Sequence, residues 1–181
     1  MNNKIILVGP GGHSKNIIEI IEIQKKYKIV GLLGLEKDLN KQIYKYKVIG
    51  NDADIKKVRE ICDSAFISIG QIKSFQPRLE ISQKLEFLKF HIPKIIANKS
   101  FVSKYSEIKE GCLINNGAIV SAGCSIGKHC IINSNALIEH DVLIEDFCHI
   151  STGAIINGGT KIGFGSFIGS GSIIREGLTL P

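Results

Sequence analysis

The chain has 181 residues, 44% of them hydrophobic and 22% charged, which excludes a disordered polypeptide and fits one large domain or two small ones. Its net charge of +6 is unevenly spread: residues 1–99 hold 18 Lys/Arg against 10 Asp/Glu, and residues 100–181 hold 5 against 7. The basic half has no Lys/Arg run beside aromatic residues, so small anions or plain solvent fit it better than nucleic acid. No apolar run approaches the roughly 18 residues of a membrane span, and the start MNNKIILVGPGGHSK reaches Gly and Pro before a secretory core can form. The expectation is a cytoplasmic protein without a membrane span. Five cysteines without a CxxC pair read as free thiols of a reducing compartment.

Residues 4–8 (KIILV) predict a buried strand, Gly9-Pro10-Gly11-Gly12-His13 a tight loop, and Ser14 to Lys25 a helix with apolar Ile17, Ile18, Ile20 and Ile21. Strands at 28–33, 47–49 and 65–69, helices at 52–60 and 78–89, and a short strand at 92–96 complete a small parallel sheet of Rossmann-like type. Backbone N–H groups at such a glycine loop and helix start can hold phosphate. As a dinucleotide fingerprint the loop is incomplete: Ser14 stands where the third glycine of GxGxxG belongs, and the second strand ends in Gly34-Leu35 without an acidic residue. A nicotinamide enzyme is therefore disfavoured. His13 is an ionisable residue where such a loop needs none, which suggests contact with a ligand.

From Val102 every sixth residue is aliphatic: Ile108, Ile114, Val120, Ile126, Ile132, Ile138, Ile144, Ile150, Ile156, Ile162, Ile168, Ile174 and Leu180. Ile, Leu and Val make up 54 of the 181 residues, so an unbroken run of this length is not chance. A mostly small residue precedes each by two places, for example Cys112, Ala118, Cys124, Cys130, Ala136 and Cys148. This six-residue period predicts a parallel β-helix whose aliphatic and small residues both point inward, with glycines such as Gly111, Gly123 and Gly159 at the corners. Three hexapeptides close one coil of 18 residues, so Cys112, Cys130 and Cys148 should stack as packing residues. A zinc site built on His129-Cys130 and Cys148-His149 fails, because neighbouring strand residues point to opposite sides.

The same arithmetic locates a site. His140 falls between Ala122 one coil before and Gly158 one coil after, and Asp141 between Gly123 and Gly159. Small neighbours clear space around both. An imidazole beside a carboxylate is how a general base is held in one tautomer and kept basic.

A GxGGH loop opening a Rossmann-like domain, followed by hexapeptides carrying Ile138-Glu139-His140-Asp141 and FCHIS, resembles the sialic-acid-type (NeuD/PglD-like) sugar acetyltransferase family, across nearly the whole chain. The resemblance implies an α/β N-terminal Rossmann-like domain over 1–98 and an all-β left-handed parallel β-helix over 99–181. It implies a homotrimer, acetyl-CoA as acyl donor in the groove between prisms, no metal, and a nucleotide-activated sugar held by the N-terminal domain. His140 would be the catalytic base and Asp141 the residue orienting it. His149 would lie near the acetyl donor, with Gly158 a backbone donor at the thioester. Gly11, Gly12, His13 and Gly70 would contact the sugar nucleotide. The implied activity is that of a UDP-4-amino-sugar N-acetyltransferase of bacterial glycan biosynthesis, with direct transfer and no covalent enzyme intermediate. Two alternatives stay open: O-acetylation, which needs the same base, and a non-catalytic sugar-nucleotide-binding trimer, suggested because the chain stops at Pro181 before the family's further coil and basic tail.

Overall fold

The computed structural model describes residues 3–181 as two compact units. One comprises the chain up to Gly70 together with Gln76–Pro93; the other comprises Gln71–Phe75 and Lys94–Pro181. The change of unit falls at Pro93/Lys94, against an expected boundary at 98/99, and the segment 71–75 belongs to the second unit.

The first unit is built from β1 (Lys4–Val8), α1 (Gly12–Gln24), β2 (Lys28–Gly34), β3 (Gln42–Ile43), β4 (Tyr46–Asn51), α2 (Ile55–Arg59), β5 (Ser64–Ile67) and α3 (Gln76–Phe87). The strand order is β3-β4-β2-β1-β5, parallel except for the short β3, which folds back antiparallel on β4 through Tyr44 and Lys45. Ile6 and Val8 of β1 join Ile55, Val58, Ile81 and Leu85 in one core cluster, and strand alternation turns the buried Ile5 and Leu7 to the opposite layer. The chain leaves β1 towards β2 on one side and returns to β5 on the other. The direction of winding therefore reverses between β1 and β5, and the carboxyl ends of strands at such a reversal are where open α/β sheets take ligands in a crevice.

One expectation is corrected here. The apolar pair Ile95–Ile96 does not extend this sheet; it pairs in parallel with Leu113–Ile114 and starts the β-helix. Ile96 lies six residues before Val102, so it obeys the hexapeptide period. A two-residue aliphatic run cannot by itself report which sheet it joins.

The second unit is the left-handed parallel β-helix. Two-residue strands stack into three five-stranded ladders. The first contains Ile95–Ile96, Leu113–Ile114, Ile131–Ile132, His149–Ile150 and Phe167–Ile168; the second contains Phe101–Val102, Ile119–Val120, Leu137–Ile138, Ile155–Ile156 and Ile173–Ile174. Glu107–Ile108, Ser125–Ile126, Leu143–Ile144, Lys161–Ile162 and Thr179–Leu180 form the third. Every step is in register, Val120 against Val102 and against Ile138 for example, because 18 residues return the chain to the same face.

The inward aliphatic and small residues form one continuous core, and Cys112, Cys124, Cys130 and Cys148 are all buried in it as free thiols. The small position also ties the coils together. Its side chain donates to the carbonyl fifteen residues on: Cys112 to Gly127 at 2.8 Å, Cys124 to Glu139 at 2.9 Å, Cys130 to Glu145 and Cys148 to Gly163 at 3.0 Å, and Thr160 to Arg175 at 3.0 Å. A small hydrogen-bond donor is selected there by two needs at once: little volume, and a corner carbonyl to satisfy.

Candidate active site

From Gly111 to Gly177 every sixth residue turns a corner of the prism with positive φ, without a break. Eight are glycine; the other four are His129, Asn135, Asp141 and Phe147. The left-handed region disfavours a side chain, so a non-glycine residue there needs a reason. At Asp141, with φ 59°, the reason is visible. Its Oδ2 lies 2.9 Å from His140 Nδ1. The space it needs is provided one coil earlier, since a Cβ on Gly123 would collide with Asp141 Oδ1.

His140 rests in the same way on a glycine one coil later. A Cβ at Gly158 would lie 2.7 Å from His140 Cε1 and 2.8 Å from Nε2. The two side chains are 68% and 70% exposed, so the ring stands on the outer wall of the prism. With Nδ1 taken by the carboxylate, Nε2 is the ring nitrogen left to other groups, an arrangement that can serve a general base oriented by an acid. His140, Asp141 and Gly158 thus form one group, as their spacing of one coil requires.

His149 is not part of that group. It lies on the first ladder, with Cys148 and Ile150 facing the core on either side, and is only 5% exposed. Its Nδ1 bonds the carbonyl of Gln71, and its Nε2 lies 3.2 Å from Asn133 Nδ2. Asn133 Oδ1 accepts the backbone N–H of Ser134 at 2.8 Å and the amide of Asn115 at 3.0 Å, which leaves Nδ2 as the atom facing the ring. His149 Nε2 is therefore the acceptor and Nδ1 carries the proton. Gln71 Nε2 in turn donates to the carbonyl of Phe147 at 2.5 Å. These partners of the ring come from residues 71 and 133, neither of them near position 149 in sequence.

The remaining candidates lie in the first unit, at the crevice between β1 and β5. Gly9 has φ 115°, and a Cβ there would collide with Ile69 Cγ1, so the two loops touch through backbone. A Cβ added at Gly11 or Gly12 would meet nothing within 4 Å, and Gly12 begins α1 with no acidic residue in its first turn. Gly70 faces His13, whose Cβ would lie 3.8 Å from a Cβ on Gly70. The structure brings Gly70 and His13 together, with open space beside the neighbouring glycines. Among the described residues no group of three or more His, Cys, Asp or Glu could hold a metal ion, and no helix is long and apolar enough to cross a membrane.

Residues 4–85 match the family model of the PglD N-terminal domain, and residues 105–140 that of the bacterial transferase hexapeptide (six repeats). The acetyltransferase domain of PglB from Neisseria gonorrhoeae FA1090, solved in complex with acetyl coenzyme A, is 28% identical. The match covers 99% of this chain and 85% of that one, with a TM-score of 0.89. Both halves of the chain thus resemble the PglD-like hexapeptide transferases. Perosamine N-acetyltransferase from Caulobacter crescentus, solved as a variant with CoA and GDP-perosamine, shares the PglD-like fold at 22% identity and a TM-score of 0.85. That match covers 97% of this chain and 90% of that one. WeeI from Acinetobacter baumannii AYE shares the fold at 18% identity and a TM-score of 0.70, over 97% of this chain and 92% of that one. No curated protein matches the chain.

Proposed function

We propose that this PglD-like transferase moves the acetyl group of acetyl-CoA to the amine of a nucleotide-activated sugar, of the UDP-4-amino-sugar type. One observation carries the reading: an exposed imidazole whose Nδ1 is held by Asp141 at 2.9 Å while its Nε2 lies over the bare backbone of Gly158. The gonococcal neighbour crystallised with acetyl coenzyme A supports the donor. The resemblance of the GxGGH and IEHD motifs supports the amine as acceptor.

In the reaction His140 Nε2 takes the proton of the amine as its nitrogen attacks the thioester carbonyl, and Asp141 keeps the ring in the tautomer that leaves Nε2 free. The tetrahedral oxyanion is steadied by backbone N–H, for which Gly158 is the candidate, and collapse releases CoA thiolate. The acyl group never sits on the enzyme, since all four β-helix cysteines lie in the core. His149 is assigned to the donor side as a rigid, neutral ring and not as a second base. Gly11, Gly12, His13 and Gly70 are assigned to the nucleotide part of the acceptor.

An exposed base on a convex wall needs an opposing surface to form a cleft. The outward residues of the second ladder, Phe101, Ile119, Leu137, Ile155 and Ile173, make an apolar stripe whose middle member, Leu137, lies three residues before His140. Phe101 is 60% and Ile173 69% exposed. A contiguous apolar surface of this kind suits a second copy of the chain, and a trimer is the assembly the reading requires.

Thiol release from acetyl-CoA in the presence of UDP-amino sugars tests the proposal. Wild-type protein should turn over, and His140→Ala should lower kcat by about 10² to 10⁴ with folding intact. Near-normal turnover of that variant rejects the base. Ile119→Asp should give a folded monomer in sedimentation with little activity, and an active monomer rejects the shared cleft.

A further inference from the structure

Arg78 sits in the first turn of α3, where a charged residue ordinarily meets water, yet it is only 1% exposed, the largest fully buried side chain among the described residues. A guanidinium taken from water is tolerated only where its N–H groups meet acceptors. Here Nη1 donates to the carbonyl of Ile69 at 2.6 Å, and the carbonyl of Ile67 lies 3.4 Å away. Both carbonyls belong to the end of β5 and the loop that carries Gly70.

That loop is pinned from its other side as well. Ser68 N–H donates to the carbonyl of Val8, and Ser68 Oγ to the carbonyl of Gly9, at 2.8 and 2.7 Å. Gly9 N–H donates to Leu33 at 2.8 Å, and the absence of a Cβ lets Ile69 close directly on it. The strand ends of β1, β2 and β5 are thus one hydrogen-bonded assembly at the crevice, with Arg78 beneath it. The peptide bonds are all trans among the described residues. In a trans peptide C=O and N–H point in opposite directions, so an Ile69 carbonyl drawn inward onto the buried Arg78 directs the N–H of Gly70 outward. Gly70 is exposed, and it faces His13.

We infer that Arg78 is a positioning residue for the acceptor: by holding the Ile69 carbonyl it fixes the Gly70 N–H as a hydrogen-bond donor for the nucleoside diphosphate part of the substrate. The inference rests on the proposed function for the class of ligand but not on His140 chemistry. A guanidinium suits the task because the N–H groups of Nη1 are fixed in its plane and face the two carbonyls of one loop, whereas an ammonium rotates freely as a point charge. Its charge also favours an anionic ligand at this end of the sheet.

The test uses the full chain and two variants, Arg78→Lys and Arg78→Met. Binding of UDP and GDP is read by calorimetry without acetyl-CoA, and kcat and KM for each substrate by thiol release. Arg78→Lys should weaken nucleotide binding about tenfold and raise the acceptor KM to match, with kcat within about threefold, the acetyl-CoA KM unchanged and the thermal midpoint near wild type. Arg78→Met should weaken it further, and if it does not fold the lysine variant decides alone. Wild-type nucleotide affinity in a folded Arg78→Lys overturns the role of Arg78 and leaves the proposed function standing. A fall in kcat without a change in binding also overturns it. Wild-type protein that binds neither UDP nor GDP overturns the acceptor class and this inference with it.

Discussion

His140 and Gly158 are stacked one coil apart, with the imidazole lying where the side chain of residue 158 would be: 2.7 Å separates His140 Cε1 from a Cβ placed on that glycine. A methyl group added there must displace the ring. Because the displaced group is the free end of an exposed side chain, the fold can yield at small cost while the proposed base moves out of position. Gly158→Ala is therefore expected to lower kcat by about tenfold to a hundredfold with the thermal midpoint nearly unchanged. Steady-state kinetics beside thermal unfolding checks this, and an unfolded or a fully active variant contradicts it.

Asp141 has two duties, which can be separated by substitution. Its carboxylate holds His140 Nδ1, and its backbone occupies a corner with φ 59°. Asn tolerates that backbone and keeps an acceptor oxygen but not the charge, whereas Ala meets the left-handed penalty of about 1 kcal/mol or more. Asp141→Asn should thus fold like the parent and lose about tenfold or more in kcat. Asp141→Ala should lose comparable activity and unfold at a lower temperature. Equal thermal midpoints for the two variants would show that the corner imposes no strain.

The cysteine column is expected to be chemically silent in the native state. Burial pushes the Cys130 thiol well above its ordinary value and also raises Cys124 and Cys62, whereas the hydrogen bond with Cys130 lowers Cys148. All five thiols are buried, so a reagent does not reach them whichever way the shift runs. An aromatic disulfide reagent at neutral pH should titrate few thiols in the folded protein and all five after denaturation. Cys130→Ser keeps a donor for the Glu145 carbonyl and should stay within about 1 kcal/mol of wild type, while Cys130→Ala strands that carbonyl and should lose about 1–3 kcal/mol. Chemical denaturation of the two variants decides it.

The period-six rhythm makes the β-helix and its corners readable, because each hexapeptide forms one face and the register repeats after three. It also places Gly123 and Gly158 beside Asp141 and His140, since residues one coil apart must touch. The pair at 95–96 escapes it, because two isoleucines fit a parallel sheet as well as a ladder. His149 and Arg78 are hidden for a different reason. The phase of the repeat turns His149 outward, and nothing in it reveals that Gln71 covers the ring. Likewise an arginine in the first turn of a helix reads as solvated until its carbonyl acceptors nine and eleven residues earlier are located. Partners that lie outside the repeat leave no periodic trace.

The glycine loop of the first unit allows structural and ligand roles to be told apart. At Gly9, φ 115° and the approach of Ile69, whose Cγ1 a Cβ would strike and whose N it would meet at 2.9 Å, leave no room for a side chain, so Gly9→Ala should destabilise the protein by about 2 kcal/mol or more. Gly12 meets nothing within 4 Å and begins α1, where Ala is a better helix former by about 1 kcal/mol. Gly12→Ala should therefore fold at least as well as the parent, yet its methyl group enters the space beside His13 that the nucleotide is assigned. A thermal midpoint equal to or above wild type together with about tenfold weaker UDP or GDP binding is the expected pair of results. Unchanged affinity in Gly12→Ala would remove this loop from the acceptor site, because the open space next to it would then hold solvent alone.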